Sequence, residues 1–187
     1  MLAFALAVRS RWVWAAVLLA VAVLLKQFAL VALPFLVVMF VLRAGSRATG
    51  ARAGAAFGGV LLGGALPFLV ADPGALWSDT VAYGAGTYRI VGYGLSALLV
   101  RAGAIEDRFD PYPFVLLALL VWAPLTAWLL WGQLRSRALW TGAAGFSISM
   151  LVLLFLGRVF QTSYLVWPLA GVAIACLLAV AERERAV

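Results

Sequence analysis

The sequence has no histidine, a single cysteine and only seven acidic side chains in 187 residues. One thiol excludes an internal disulfide. Without histidine or a second cysteine, a metal site would have to be built from carboxylates alone, so neither metal nor cofactor is expected. The missing histidine also excludes a Ser-His-Asp set, and neither a GxGxxG nor a Walker-type phosphate loop occurs. Charge is scarce too. Only 11% of the residues are charged, against about 25% in a typical soluble domain. That is too few to cover a globule in water.

What the chain has in excess is apolar. Hydrophobic residues make up 66% of it, and its mean hydropathy is +1.10. They fall in blocks of about 15 to 20 residues, the length that crosses a bilayer as helix. The fold class expected is an all-α integral membrane protein. The net charge of +7 comes from 14 basic residues, all but Lys26 arginine. They stand as short punctuation between apolar blocks and form no basic stripe. They are therefore read as charges that orient helices, and nucleic acid is not expected as a partner. Heavy arginine and alanine usage fits a GC-rich bacterial genome.

The opening MLAFALAVRSR reverses the order of a secretory signal, with apolar residues first and Arg9 and Arg11 after. It reads as the last two turns of a helix leaving the membrane on its cytoplasmic side. The chain is accordingly expected to be the C-terminal portion of a larger polytopic protein, residues 1–187 forming one membrane domain.

From Trp12 to Leu42 the sequence is apolar except for Lys26 and Gln27. As one tilted span it would put Lys26 at the bilayer centre, at a cost of about 2.5 to 3.5 kcal/mol. It would also place Arg9 and Arg11 opposite Arg43, Arg47 and Arg52. As a hairpin of two short helices meeting at Lys26, all five arginines stay on one side, which the positive-inside rule favours. Arms of about 15 residues are short for a full crossing, and are tolerable when packed against protein.

Four longer blocks follow: Ala51 to Val70, Pro113 to Trp131, Leu139 to Leu156 and Tyr164 to Val180. Gly59 and Gly63 in the first are spaced for close helix packing. Threading all blocks alternately predicts about six crossings, with both termini in the cytoplasm and an inner (plasma) membrane location. Nine basic residues then lie inside, among them Arg135, Arg137, Arg183 and Arg185, and five outside: Lys26, Arg89, Arg101, Arg108 and Arg158. Five of the seven acidic residues fall outside as well.

Residues 71–112 form the one long segment between spans, expected as an extracytoplasmic loop. It opens on Asp72-Pro73-Gly74, a turn signal. It then interleaves Trp77, Tyr83, Tyr88 and Tyr93, aromatics suited to headgroup level. Ile90 to Val100 is apolar but too short to cross, and is read as an interfacial or re-entrant helix. Functional residues concentrate on such loops.

The polar residues predicted to converge on this outer face are Lys26 and Gln27, Asp72, Asp79 and Arg89, and Arg158, Gln161 and Tyr164. Cations at membrane level can neutralise a phosphate headgroup through charge-assisted hydrogen bonds. A carboxylate nearby can act as general base on a sugar hydroxyl. Each has a plainer reading beside it. Lys26 and Arg158 can be snorkelling anchors, Asp72 before a proline can be a helix cap, and Tyr164 and Trp167 can be belt aromatics.

The stretch RWVWAAVLLAVAVLLKQFALVALPFLV resembles a segment of GT-C polytopic glycosyltransferases, where a short helix ends at a lysine and a proline-bearing helix follows. The resemblance is closest to the polyprenol-phosphate-mannose-dependent mannosyltransferases of glycosyltransferase family 87. LGRVFQTSYLVWPLAGVAIA and ADPGALWSDTVAYGAGTYRIVGYGLSALL are similar to later segments of that group, in the same order. The resemblance implies transfer of a hexose, mannose in that group, from a polyprenyl-phosphate-linked donor to a lipid or glycan acceptor on the extracytoplasmic side. By position it implies Lys26 and Gln27 near the donor phosphate, and Arg158, Gln161 and Tyr164 lining the luminal cavity. From their place on the outer face, Arg89 and Arg158 are added as phosphate partners and Asp72 as a substrate-cavity residue. The family's catalytic aspartate lies in a first luminal loop that has no counterpart here. The catalytic residue is therefore unassigned, with Asp79 the one candidate. Two further classes stay open from the residues alone: a small transporter or channel component, given the helix broken at Lys26, and a non-catalytic membrane packing subunit.

Overall fold

The computed structural model describes residues 1–43, 45–80 and 89–184. Ten α-helices account for most of this, joined by short 3₁₀ and π turns and one two-residue parallel bridge. Four helical stretches are long and apolar enough to cross a membrane: Arg47–Ala71, Phe114–Ser136, Leu139–Leu156 and Thr162–Glu184. Their outward faces carry exposed Leu62, Leu120, Trp128 and Leu177. An apolar surface that continuous is at home in lipid and not in water.

The chain begins with α1 (Leu2–Val8), which turns through Arg9, Ser10 and Arg11 into α2 (Trp12–Leu25). The two-turn helix ending at an arginine pair is the geometry read from the opening residues. Phe4 and Ala7 of α1 are fully buried, and the Phe4 ring meets Phe146 at 5.6 Å between centroids.

Lys26 ends α2 in an extended conformation (φ −155°), its N–H donating to Ala22 O at 2.8 Å. A 3₁₀ turn over Gln27–Val31 then leads into α3 (Ala32–Leu42). Between the single span and the hairpin, one contact decides. Trp12 at the start of α2 stands edge-on to Phe40 near the end of α3, at 5.1 Å. A straight helix would separate the two by about 40 Å at 1.5 Å per residue. The apolar run is therefore a hairpin with Lys26 at its tip, and its arms pack against protein, α2 on α4 and α3 on α8 and α9.

Ser46 caps α4 (Arg47–Ala71) by accepting the Thr49 N–H at 3.2 Å. The close packing expected at Gly59 and Gly63 is not made among the described residues. A side chain at Gly54, Gly58, Gly59 or Gly63 would meet nothing within 4 Å. The inward stripe of α4 instead runs through Gly50, Ala53, Phe57 and Gly64, where Gly50 faces Phe40 and Gly64 faces Leu24. The physical reason is rotation: a seven-residue stripe through 50, 57 and 64 turns the 59/63 pair outward.

After α4 come α5 (Pro73–Trp77) and α6 (Leu95–Arg101). The apolar segment read as helix from Ile90 thus starts later. Val91–Gly92 (β1) pairs in parallel with Val159–Phe160 (β2) instead, leaving only Leu95 onward helical. Tyr83 and Tyr88 lie outside the described residues. Next, α7 (Phe114–Leu117) passes through a π turn at Ala118–Trp122 into α8 (Ala123–Ser136), one 23-residue stretch that continues past Trp131. In the π turn, Trp122 Nε1 donates to Ser149 O and Oγ at 3.0 and 2.9 Å, and Thr126 shares a 2.7 Å bond with that hydroxyl. Such turns open a helix locally to admit an extra contact. The chain closes with α9 (Leu139–Leu156) and α10 (Val166–Glu184), packed along their lengths.

These contacts give the bundle two distinct ends. Arg9, Arg11, Arg43, Arg47, Arg52, Arg135, Arg137 and Arg183 gather at one end. At the other lie Lys26, residues 71–80 and 89–112, and the α9–α10 junction with Arg158, Gln161 and Tyr164.

Candidate functional site

The loop end is built from two parts, a rigid cap and an exposed hairpin tip. The cap begins with a problem common to all helices, the unpaired carbonyls at a C-terminus. At the end of α9, Tyr112 Oη donates to Leu156 O at 2.8 Å and Ser96 Oγ donates to Gly157 O at 2.9 Å. Tyr112 is held between Pro111 and Pro113, which restrict its backbone to extended conformations. Burial raises the Tyr112 hydroxyl above its usual pKa, opposed in part by the charge of Arg158, so it stays a donor. The bridge adds Val91 N–H to Arg158 O and Tyr93 N–H to Phe160 O, both 2.9 Å. Gly92 has φ +96°, and a Cβ there would overlap Phe160 O. Only glycine fits that position.

Arg158 belongs to this cap. It is 3% exposed, and its guanidinium donates to Arg108 O at 3.3 Å. A charge that deeply placed is held by its hydrogen bonds. Arg89 lies at the edge of the cap and is exposed, next to Ile90, whose N–H donates to Arg108 O at 2.8 Å.

The hairpin tip meets the α9–α10 junction directly. Lys26 Nζ stands over the Tyr164 ring, 5.3 Å from its centroid, and Phe28 packs on the same ring at 6.4 Å. Lys26 and Gln27 are exposed, Tyr164 half-buried and Gln161 exposed. No carboxylate pairs with Lys26 among the described residues. A cation over an aromatic face keeps its charge while losing part of its hydration, which leaves it ready for an incoming anion. Below this tip, an apolar groove of about 470 Å³ runs between α1, α2 and α10, lined at the near end by Leu25, Ala29, Val166 and Trp167. Leu25 directly precedes Lys26, and Val166 lies two residues after Tyr164, so this end of the groove adjoins the tip in sequence.

The two aspartates separate. Asp72 is the N-cap of α5, its Oδ1 accepting the Ala75 N–H at 2.9 Å. Asp79 is exposed and accepts from Ser78 Oγ at 3.4 Å. The structure therefore brings together Lys26, Gln27 and Tyr164 at the tip, with Gln161 on the adjoining junction. It sets Arg158 beneath the cap and commits Asp72 to a helix start. Tyr112 and Ser96, which organise the cap, carry no motif in the sequence; only the Pro-Tyr-Pro triplet hints at a fixed tyrosine. Among the described residues no group of three His, Cys, Asp or Glu side chains could hold a metal ion. No family model, curated protein or solved structure matches this chain.

Proposed function

We propose that this chain forms the donor-binding part of a membrane glycosyltransferase that transfers a hexose, such as mannose, from a polyprenyl-phosphate carrier. The observation that carries the reading is Lys26 Nζ over the Tyr164 ring, with Leu25 and Val166, close neighbours of the pair in sequence, lining an apolar groove. A lipid-linked sugar phosphate has three parts, and the site offers a match for each. Its charged phosphate fits the Lys26 ammonium, which has no carboxylate partner among the described residues, with hydrogen bonds to a charged group contributing about 1.5 to 3 kcal/mol each. Its isoprenoid tail fits the apolar groove. Its sugar would face Gln27, Gln161 and the exposed Arg89, which offer donors and acceptors. Arg158 supports the site by fixing the cap.

In this reading the six apolar helical segments all cross the plasma membrane, the two hairpin arms included. The arginine end is cytoplasmic, with both termini, and the loop end is extracytoplasmic. The charge distribution supports that orientation through the positive-inside rule. Asp79, which is exposed, is the candidate for general base carried from the sequence, and Asp72 is occupied as a cap. The acceptor is a lipid or glycan hydroxyl. The test is photolabelling of the chain in proteoliposomes by a radiolabelled polyprenyl-phosphate-mannose analogue. Labelling weakened by Lys26→Gln and by Tyr164→Ala supports the reading. Labelling unchanged in both variants opposes it.

A further inference from the structure

The outer surface between α9 and α10 carries a second groove of about 550 Å³, at the opposite end from the cap. Its floor is small, with Ala144 from α9 and Ala175 and Ala179 from α10, and its walls are Trp140, Ile148 and Val172. Positions 140, 144 and 148 form one face of α9, and 172, 175 and 179 one face of α10. The groove runs about 12 Å along α9, eight residues at 1.5 Å each.

At the arginine end the groove closes on Glu182 and Arg183. Glu182 Oε1 accepts the Leu139 N–H at 2.7 Å. That contact brings the α8–α9 turn, with Arg137 two residues earlier, against the end of α10. Arg137 and Arg183 are both exposed, and neither has a carboxylate partner among the described residues. Arg183 thus lines the groove beside a carboxylate that is already engaged, and Arg137 is carried on the turn that this carboxylate holds.

We propose that this groove binds an anionic phospholipid, its phosphate on Arg183 and Arg137 and one acyl chain along Ala144, Ala175 and Ala179. Basic pockets between helices suit acidic headgroups in this way. The apolar floor and the arginine rim together select the occupant. A second helix laid in the groove would cover Arg183 and Glu182 and strip their water, which is costly without new partners. A phospholipid satisfies the arginines and leaves the rim wet. The site stands apart from the hairpin tip and does not rest on the transferase reading.

The test uses the full chain in nanodiscs, with brominated phosphatidylglycerol or brominated phosphatidylcholine as quencher. The readout is the Trp140 contribution, taken as wild type minus Trp140→Phe. Half-quenching is expected at a lower mole fraction of phosphatidylglycerol, by about fivefold for each arginine engaged. Arg137→Gln and Arg183→Gln should each remove their share of that preference, and 0.5 M salt should weaken it in the wild type, on the order of the screening expected at that strength. Equal quenching by the two lipids, or a preference that survives in the double variant, overturns the proposal. So does a Cys176–Cys176 disulfide between copies, because Cys176 lines this groove and the bond would place a second copy there.

Discussion

Removing the cap's two anchors should loosen the loop end without disturbing the bundle. Tyr112→Phe and Ser96→Ala each delete one hydroxyl and nothing else of consequence. Their acceptors are Leu156 O, the last carbonyl of α9, and Gly157 O of its C-cap, and both would be left beneath the cap. An unsatisfied buried acceptor costs roughly 1 to 3 kcal/mol, which is about a five- to 150-fold shift in a local opening equilibrium. The two sites are neighbours, so the double variant should fall short of the sum. Hydrogen exchange reads the effect at Ile90, Val91 and Tyr93, whose N–H groups are bonded to Arg108, Arg158 and Phe160 carbonyls. Exchange there should quicken by that factor, while amides in the middle of α9 stay slow. The pH dependence has a definite sign. Tyr112 has a raised pKa in the fold, so its contribution is complete below the ordinary tyrosine value near ~10. It is lost as pH climbs through the raised value, and Tyr112→Phe should be insensitive to that rise. Unchanged exchange at Val91 and Tyr93 in both variants would refute the claim that these hydroxyls hold the cap.

The hairpin predicts that cysteines at 12 and 40, in a Cys176→Ser background, cross-link readily within one chain, whereas a single span would keep them apart. Gly92→Ala should open the cap as the anchor variants do, since its Cβ would overlap Phe160 O; normal exchange at Tyr93 would contradict this. Gly59→Leu should leave thermal stability within about 0.5 kcal/mol of wild type, as an outward surface change, whereas Gly64→Leu should lower it by roughly 1 to 3 kcal/mol through overpacking on Leu24. Gln133→Leu removes the bond from Nε2 to Phe35 O at 3.0 Å. It also deletes a buried oxygen that has no partner among the described residues, so the net loss in thermal unfolding should stay below about 1 kcal/mol.

Much of the helical architecture can be read from composition and period. Lys26 interrupts an apolar run too long for one helix and too short for two full spans, and that tension alone points to a hairpin. Leu139 and Leu156 bound α9 because arginines before and Gly157-Arg158 after leave no choice. The stripe of α4 was harder. Its face is rich in small residues all round, so the 59/63 pair and the 50/57/64 stripe compete on equal terms, and only the position of Leu24 and Phe40 decides. Of the cap, only the Pro-Tyr-Pro triplet was legible, and none of its pairings. Val91 and Val159 are 68 positions apart, and Tyr112 is 44 from Leu156. No local propensity encodes pairings over such separations. The gathering of Lys26 and Tyr164 was legible in kind, as polar residues at one end, but the stacking of ammonium on ring depends on the 3₁₀ turn after Lys26.

The central claim is that Lys26 receives a lipid phosphate. Its most direct measurement is equilibrium binding of a polyprenyl phosphate to wild type, Lys26→Gln and Arg101→Gln in detergent or nanodiscs. Arg101 is the control, an exposed cation stacked on Tyr93 at 5.7 Å on the cap. Loss of one charge-assisted contact should weaken binding to Lys26→Gln by about ten- to a hundredfold, with Arg101→Gln close to wild type. Equal affinity for all three would leave Lys26 as an anchor at the tip of its hairpin and contradict the account.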